Sequence, residues 1–264
     1  MPEDPAPVAT IRLTTVGTGT VSPSPRRVSA GHLLQAGDVR LLMDCGSGVV
    51  HRMAALGLHW QGVTHVALTH FHADHIADLC PLIFAWRYGD LPARTAPVEV
   101  LGPPGTALLL DRLAAAFGDW VTAPGFPLTV REIAPGDEIP LADGVTLSAR
   151  KVPHTDESVA YSVSAGRRRV VYTGDTGWDA ELAAWAAGCD VLLAECSLPD
   201  EQRLAIHLTP SECGELARLA RPGRLVLTHF YPPVDRLDVA GLVARHWEGP
   251  VSLAEDGWSL DIED

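Results

Sequence analysis

Basic residues are scarce in this chain: 20 Lys and Arg stand against 33 Asp and Glu, a formal net charge of −13. That deficit argues against a strong general affinity for nucleic acid, while leaving room for a local basic patch. Cysteine is sparse as well. The five, Cys45, Cys80, Cys189, Cys196 and Cys213, are scattered singly with no CxxC pair. This speaks against a disulfide frame and for reduced, buried thiols in a cytosolic chain. No apolar run approaches the roughly 20 residues needed to cross a bilayer. Residues 1–9 are Pro-rich and acidic, without the basic-then-apolar order of a signal peptide. The expectation is a cytoplasmic protein with no membrane partner. Linkers, repeats and low-complexity segments are also missing, so a flexible start over residues 1–10 and a single domain over 11–264 are expected. A hydrophobic fraction of 47% is enough for a sizeable core.

What is present is dense. Thr69-His70-Phe71-His72-Ala73-Asp74-His75 puts three imidazoles and a carboxylate within residues 70–75, at the end of an apolar, β-branched run from Thr64 to Thr69. That run reads as a buried strand and residues 76–88 as a helix, so the cluster lies in a strand-to-helix turn. His70 and His72 point to one side of an extended backbone. Asp74 and His75 fall at the helix start, where the dipole favours a carboxylate. These donors suit one or two ions of zinc, iron or manganese.

The remaining chain reads as alternating strand and helix up to residue 117, with strands at 11–16, 32–35, 39–43 and 98–101 and helices at 48–56 and 106–117. Val49, Met53 and Leu56 are expected on one face of the first helix. Consecutive strands follow at 128–133, 145–152, 159–164 and 169–172. Then come a helix at 179–187, a strand at 191–194, a helix at 211–220, a strand at 225–227, a helix at 239–247 and a strand pair within 251–260. This order fits an α/β fold, a four-layer αββα sandwich with the metal site at one edge of the two sheets.

More donors recur just after strands, where loops on one sheet edge can meet. His154 follows 149–153, Asp175 follows 170–174, Glu195 ends 191–194, His207 opens Leu208-Thr209, and His229 follows 225–228. Asp175 has a second reading as the cap of the next helix. Asp44, closing the strand at 39–43, reads either as a turn residue or as the partner of a ligand imidazole's second nitrogen.

The order His70-x-His72-x-Asp74-His75, His154, Thr173-Gly174-Asp175-Thr176 and His229 resembles the metallo-β-lactamase superfamily. Val16-Gly17-Thr18-Gly19-Thr20, Asp44-Cys45-Gly46, Glu195-Cys196 and His207-Leu208-Thr209 further resemble its ribonuclease Z branch. The resemblance implies two divalent metal ions, zinc before manganese or iron. It puts His70, His72 and His154 on one ion, Asp74, His75 and His229 on the other, and Asp175 between them. It also implies a Glu195–His207 pair serving the leaving group. Two adjacent ions lower the pKa of a bridging water from 15.7 toward roughly 7, supplying hydroxide at neutral pH. With Asp74 steering the water's proton and His207 as acid, the expected activity is that of a phosphodiesterase.

Two departures narrow the substrate. Branch members that trim transfer RNA carry a long, Gly-rich and basic arm between the third and fourth motifs, whereas residues 155–174 hold only a hairpin turning at Ala165-Gly166-Arg167-Arg168. The Arg167-Arg168-Arg169 triplet reads as a solvated turn. Ser24-Pro25-Arg26-Arg27 replaces a Pro-Lys-Arg-Asn-like loop, with Arg26 or Arg27 as a phosphate contact or a plain surface loop. A small-molecule ester or phosphodiester substrate, such as a cyclic nucleotide, is therefore favoured. Transfer RNA 3′ processing and carboxylic ester or lactone hydrolysis are the alternatives, and a scaffold without turnover would be expected to have lost ligands. The stripe Leu82 to Trp86 reads as core, with a dimer face or substrate lid as the other option.

Overall fold

The computed structural model describes residues 10–89, 91–142 and 144–263, so all but the last residue of the expected flexible start lies outside the described residues. The first half holds β1 (Ile11–Gly17), β2 (Gly31–Ala36), β3 (Val39–Met43), α1 (Val49–Ala55), β4 (His65–Ala67), α2 (Ala73–Ile76), α3 (Leu79–Tyr88), β5 (Val98–Gly102), α4 (Thr106–Phe117) and β6 (Leu128–Glu132). The second holds β7 (Glu138–Pro140), β8 (Val145–Lys151), β9 (Val159–Ala165), β10 (Arg168–Tyr172), α5 (Ala180–Trp185), β11 (Val191–Glu195), α6 (Pro210–Ala220), β12 (Arg224–Thr228), α7 (Val239–Val243), β13 (Val251–Leu253) and β14 (Ser259–Ile262).

Two seven-stranded sheets result, ordered β14-β1-β2-β3-β4-β5-β6 and β13-β12-β11-β10-β9-β8-β7. Alternation within each strand sends one set of side chains inward. Leu13, Leu34, Leu41 and Met43 of one sheet share a core with Leu147, Tyr161, Val163 and Leu193 of the other. The outer faces are apolar too, as strands covered on both sides require. Val49, Met53, Leu82, Ile83, Trp86 and Leu110 cover the first sheet. Leu182, Cys213, Leu216, Ala217 and Val243 cover the second. This is the expected αββα sandwich.

Topology then gathers the donors. β3 to β6 are mutually parallel, as are β10 to β13. β8 runs the same way as β10, since each is antiparallel to β9. The loops after β3, β4, β8, β10, β11 and β12 therefore open on one rim, the edge where open α/β sheets place their ligands. Among the described residues no helix is long and apolar enough to cross a membrane.

Several local expectations need correction. The helix expected over 76–88 starts earlier and is split: α2 ends at Ile76, and the Asp78 carboxylate accepts from Val50 N–H at 2.9 Å. Leu56 lies beyond α1 and is 38% exposed. The last helix stops at Val243, and the final two strands join different sheets. The arginine triplet is not a freely solvated turn: Arg168 pairs with Asp190 at 2.8 Å, and Arg169 donates to the Trp185 carbonyl. Arg27 is occupied by Thr18, Asp235 and the Ala254 carbonyl, and it stacks over Phe230. Leu82, Ile83 and Trp86 are core as expected, but Phe84 faces outward onto an apolar groove with Phe71, Phe117 and Trp120. All five cysteines are free and buried.

Candidate metal centre

The tight turn after β4 is made possible from below. A Cβ on Gly46 would lie 1.9 Å from the Asp74 carbonyl oxygen, so only glycine lets the loop after β3 pass under α2. Cys45 N–H donates to the His75 carbonyl at 2.7 Å and Asp78 N–H to the Cys45 carbonyl at 2.9 Å. Across the rim, Gly174 takes φ +56 against the Thr69 side chain and turns the chain so that Asp175 faces the histidines. Asp175 does not cap the following helix. That role belongs to Asp179, which accepts from Glu181 N–H. Asp44 and His229 adopt φ +59 and +58. Non-glycine residues seldom enter this left-handed region, and their meeting at one rim marks a built site.

Seven side chains named from the sequence converge in two groups. His70, His72, His154 and Asp175 form one and Asp74, His75 and His229 the other, while a third set, Asp175, His207 and His229, overlaps both. In the first, His70 Nε2 and His154 Nε2 both lie 3.1 Å from His72 Nδ1, with Asp175 Oδ2 at 3.9 and 3.8 Å from the two Nε2 atoms. In the second, His229 Nε2 lies 3.5 Å from Asp74 Oδ2, and Asp175 Oδ1 reaches His75 Nε2 at 3.2 Å and His229 Nε2 at 3.4 Å. Asp175 thus touches both groups. Tetrahedral bonds of about 2.0–2.1 Å to imidazole place ligand nitrogens about 3.3 Å apart, close to these spacings. His75 Nε2, Asp175 Oδ1 and His229 Nε2 are buried without a hydrogen-bond partner. Buried polar atoms are rarely left so, and divalent cations fit the donors that face one another here.

The opposite ring nitrogens are held from behind. Asp44 Oδ2 accepts from His75 Nδ1 at 2.8 Å, from Tyr172 Oη at 2.8 Å and from Thr69 Oγ1 at 2.9 Å, while Oδ1 accepts from Thr69 N–H at 2.8 Å. The Ile206 carbonyl lies 2.9 Å from His154 Nδ1. Beside the groups, His207 Nδ1 sits 3.1 and 3.0 Å from the Glu195 oxygens, and its ring is 6.0 Å from His229 and 4.9 Å from His154. Glu195 also accepts from Thr176 N–H at 2.5 Å. Thr69, Tyr172, Thr176 and Ser197 were not singled out from sequence. Their only signal is adjacency to the donors, as in Thr69 before His70 and Ser197 two places after Glu195.

These contacts order the charges. Burial opposes an imidazolium at His75, but Asp175 and Asp44 on either side outweigh it and hold its pKa well above the ordinary value. Burial, then the charge of His75, push His70 downward. Burial resists ionisation of Asp175, yet His229 and His75 hold it well below the usual carboxylate range. Burial disfavours charge on His207, but the hydrogen bond and charge of Glu195, then Asp175 and Asp74, raise its pKa to about 9. His32 lies fully buried behind the site, edge-on to Tyr172, and burial lowers its pKa to about 3.

Residues 39–230 match the model of the β-lactamase superfamily domain. Together with the fold, this shows that the chain belongs to the metallo-β-lactamase superfamily, a class of metal-dependent hydrolases. A ribonuclease Z from Mycobacterium sp. (strain KMS) is 35% identical over 280 aligned positions, covering 96% of each chain. The chain is accordingly a member of the ribonuclease Z-like branch. Among solved structures, the metallo-β-lactamase fold protein YhfI from Bacillus subtilis aligns with a TM-score of 0.82 at 25% identity, covering 96% of this chain and 99% of that one. The short form of human tRNase Z shares the fold, with a TM-score of 0.77 at 24% identity, covering 94% and 98%.

Proposed function

We propose that this protein is a phosphodiesterase that holds two divalent ions, zinc before manganese or iron, through His70, His72, His154, Asp74, His75, His229 and Asp175. The observation that carries the reading is the two-part cluster with the Glu195–His207 pair beside it. Five imidazoles with two carboxylates suit borderline metals of this kind. Such ions, when bound, supply an activated water near neutral pH and neutralise charge on phosphoryl oxygens.

The chain's own residues supply the rest. Asp74, buried beside His229, accepts the proton released on the water side. His207, oriented through Nδ1 by Glu195, presents its other ring nitrogen and donates a proton to the departing oxygen. An acid in that place favours an alkoxide leaving group, a step contributing about 10²–10⁴-fold. Small diesters remain the favoured substrate class on the net charge of −13 and the short hairpin between His154 and Asp175. RNA is the second reading, favoured by the ribonuclease Z named among the relatives. A metal-supplemented screen of cyclic nucleotides, bis-p-nitrophenyl phosphate, lactones and precursor transfer RNA tests both. Turnover of lactones alone would overturn the phosphodiesterase reading.

A further inference from the structure

Two hydroxyls occupy equivalent positions on either side of the cluster. Thr69 Oγ1 donates to Asp44 Oδ2 and lies 3.0 Å from His70 Nδ1. Ser197 Oγ donates to Glu195 Oε2 and lies 2.9 Å from His229 Nδ1, with the His229 carbonyl at 3.2 Å. Each carboxylate also contacts a second imidazole directly, Asp44 with His75 and Glu195 with His207. The arrangement is therefore one carboxylate, two histidines and one bridging hydroxyl, formed twice from unrelated stretches of chain.

The proton count in each bridge has one solution. A hydroxyl carries a single hydrogen, and an ionised carboxylate can only accept. The charged acceptor takes that hydrogen, because charge-assisted bonds are the stronger ones. The hydroxyl oxygen is then left to accept, so the imidazole must present Nδ1–H to it. Thr69, Asp44, His70, Ser197 and Glu195 are fully buried and His229 is 1% exposed, so bulk water cannot replace either hydroxyl. With Nδ1 protonated, Nε2 carries the lone pair, and Nε2 is the atom that each ring turns toward the cluster.

We propose that Thr69 and Ser197 are positioning residues that lock His70 and His229 in the Nδ1–H tautomer and thereby prepare Nε2 for the ions. This rests on the reading of His70 and His229 as ligands. Ser197 has a further effect. Its N–H donates to the Leu208 carbonyl and its own carbonyl accepts from Tyr231 N–H, so it ties the loop carrying His207 to the loop carrying His229.

The test uses the whole chain with Thr69→Val and Ser197→Ala, and with Thr69→Ser and Ser197→Thr as conservative rescues. Long-range ¹H–¹⁵N spectra of the metal-free protein report the tautomers of His70 and His229 directly, and chelator competition with zinc reports affinity. The hydroxyl-free variants are expected to populate the Nε2–H form and to bind one ion 10–100-fold more weakly, the usual effect of losing a ligand's supporting partner. The rescues are expected to restore both readouts, which general loosening of the core would not do. Unchanged tautomers in the hydroxyl-free variants would overturn the lock. His229→Gln, run in parallel, keeps the two readings separate. Full zinc occupancy there would count against the ligand assignment, while the tautomer spectra would still decide the lock.

Discussion

Asp44→Asn is a sharp perturbation of this site, because it changes charge and hydrogen bonding while leaving shape and backbone almost untouched. Asp44 sits at φ +59, a conformation that asparagine tolerates better than other side chains. Its Oδ1 bond to Thr69 N–H can survive as an amide carbonyl bond. At Oδ2 an NH₂ group would face three donors, His75 Nδ1, Tyr172 Oη and Thr69 Oγ1. The Thr69 hydroxyl can rotate to accept from the amide. His75 and Tyr172, both buried, then lose their acceptor. Each buried group left unsatisfied costs about 1–3 kcal/mol, so a loss of about 2–6 kcal/mol is expected. That is a large part of the 5–15 kcal/mol by which domains are typically stable. Urea unfolding of the metal-free protein measures the loss, and chelator competition should show zinc affinity down about 10–100-fold. A loss below about 1 kcal/mol with unchanged zinc affinity would refute the claim that Asp44 organises the site.

His72→Ala removes the nitrogen common to the two 3.1 Å contacts of the first group and should strip most bound metal and activity; full occupancy by elemental analysis would contradict its assignment. His207→Ala should leave the metal content unchanged and slow alkyl leaving groups about 10²–10⁴-fold, with p-nitrophenyl esters affected far less. An equal loss on both would count against a proton donor. The same residue sets an alkaline limb. An acid must be protonated, so turnover of poor leaving groups should fall as pH rises through about 9, and Glu195→Gln should move that limb toward lower pH. Finally, Asp175 and Asp44 hold the His75 pKa well above the ordinary value, so a cation at its Nε2 competes with a proton for the ring. Metal uptake at neutral pH should release protons to an indicator dye, and affinity should climb with pH. Uptake without proton release would show that His75 was already neutral.

Much of this arrangement can be read from the residues alone, and for a physical reason. Strands that end a buried parallel sheet are continuous apolar runs, so a polar donor directly after such a run, as at His70, Asp175, Glu195 and His229, announces both the strand end and the rim. The short edge strand β7 is missed because Glu138–Pro140 has neither length nor alternation. The break between α2 and α3 is missed because Ala77 and Asp78 are compatible with helix; the bond from Val50 N–H to Asp78 belongs to tertiary structure. Tertiary contacts also decide Arg168 and Arg169, whose partners are distant in sequence. The bridging hydroxyls escape for a related reason. Thr and Ser are common beside strand ends, and nothing local distinguishes Thr69 or Ser197 from a turn residue until Asp44 and Glu195 are placed behind them.

The pairing of β14 with β1 bears on how the molecule is made. Ile262 lies opposite Ile11 and Ser259 opposite Thr14, so β1 takes its outer neighbour from a strand translated long after it. At about 5–20 residues per second, that wait lasts tens of seconds at the slower rates. Until then β1 has an open edge, and His229, coming late, leaves the second donor group incomplete. The nascent chain can thus assemble the group of His70, His72, His154 and Asp175 while the second group still lacks His229, so any metal captured early would be held by the first group. Ribosome-stalled chains ending before and after residue 229 would show, by protease resistance with and without zinc, whether the site closes during synthesis or only on release.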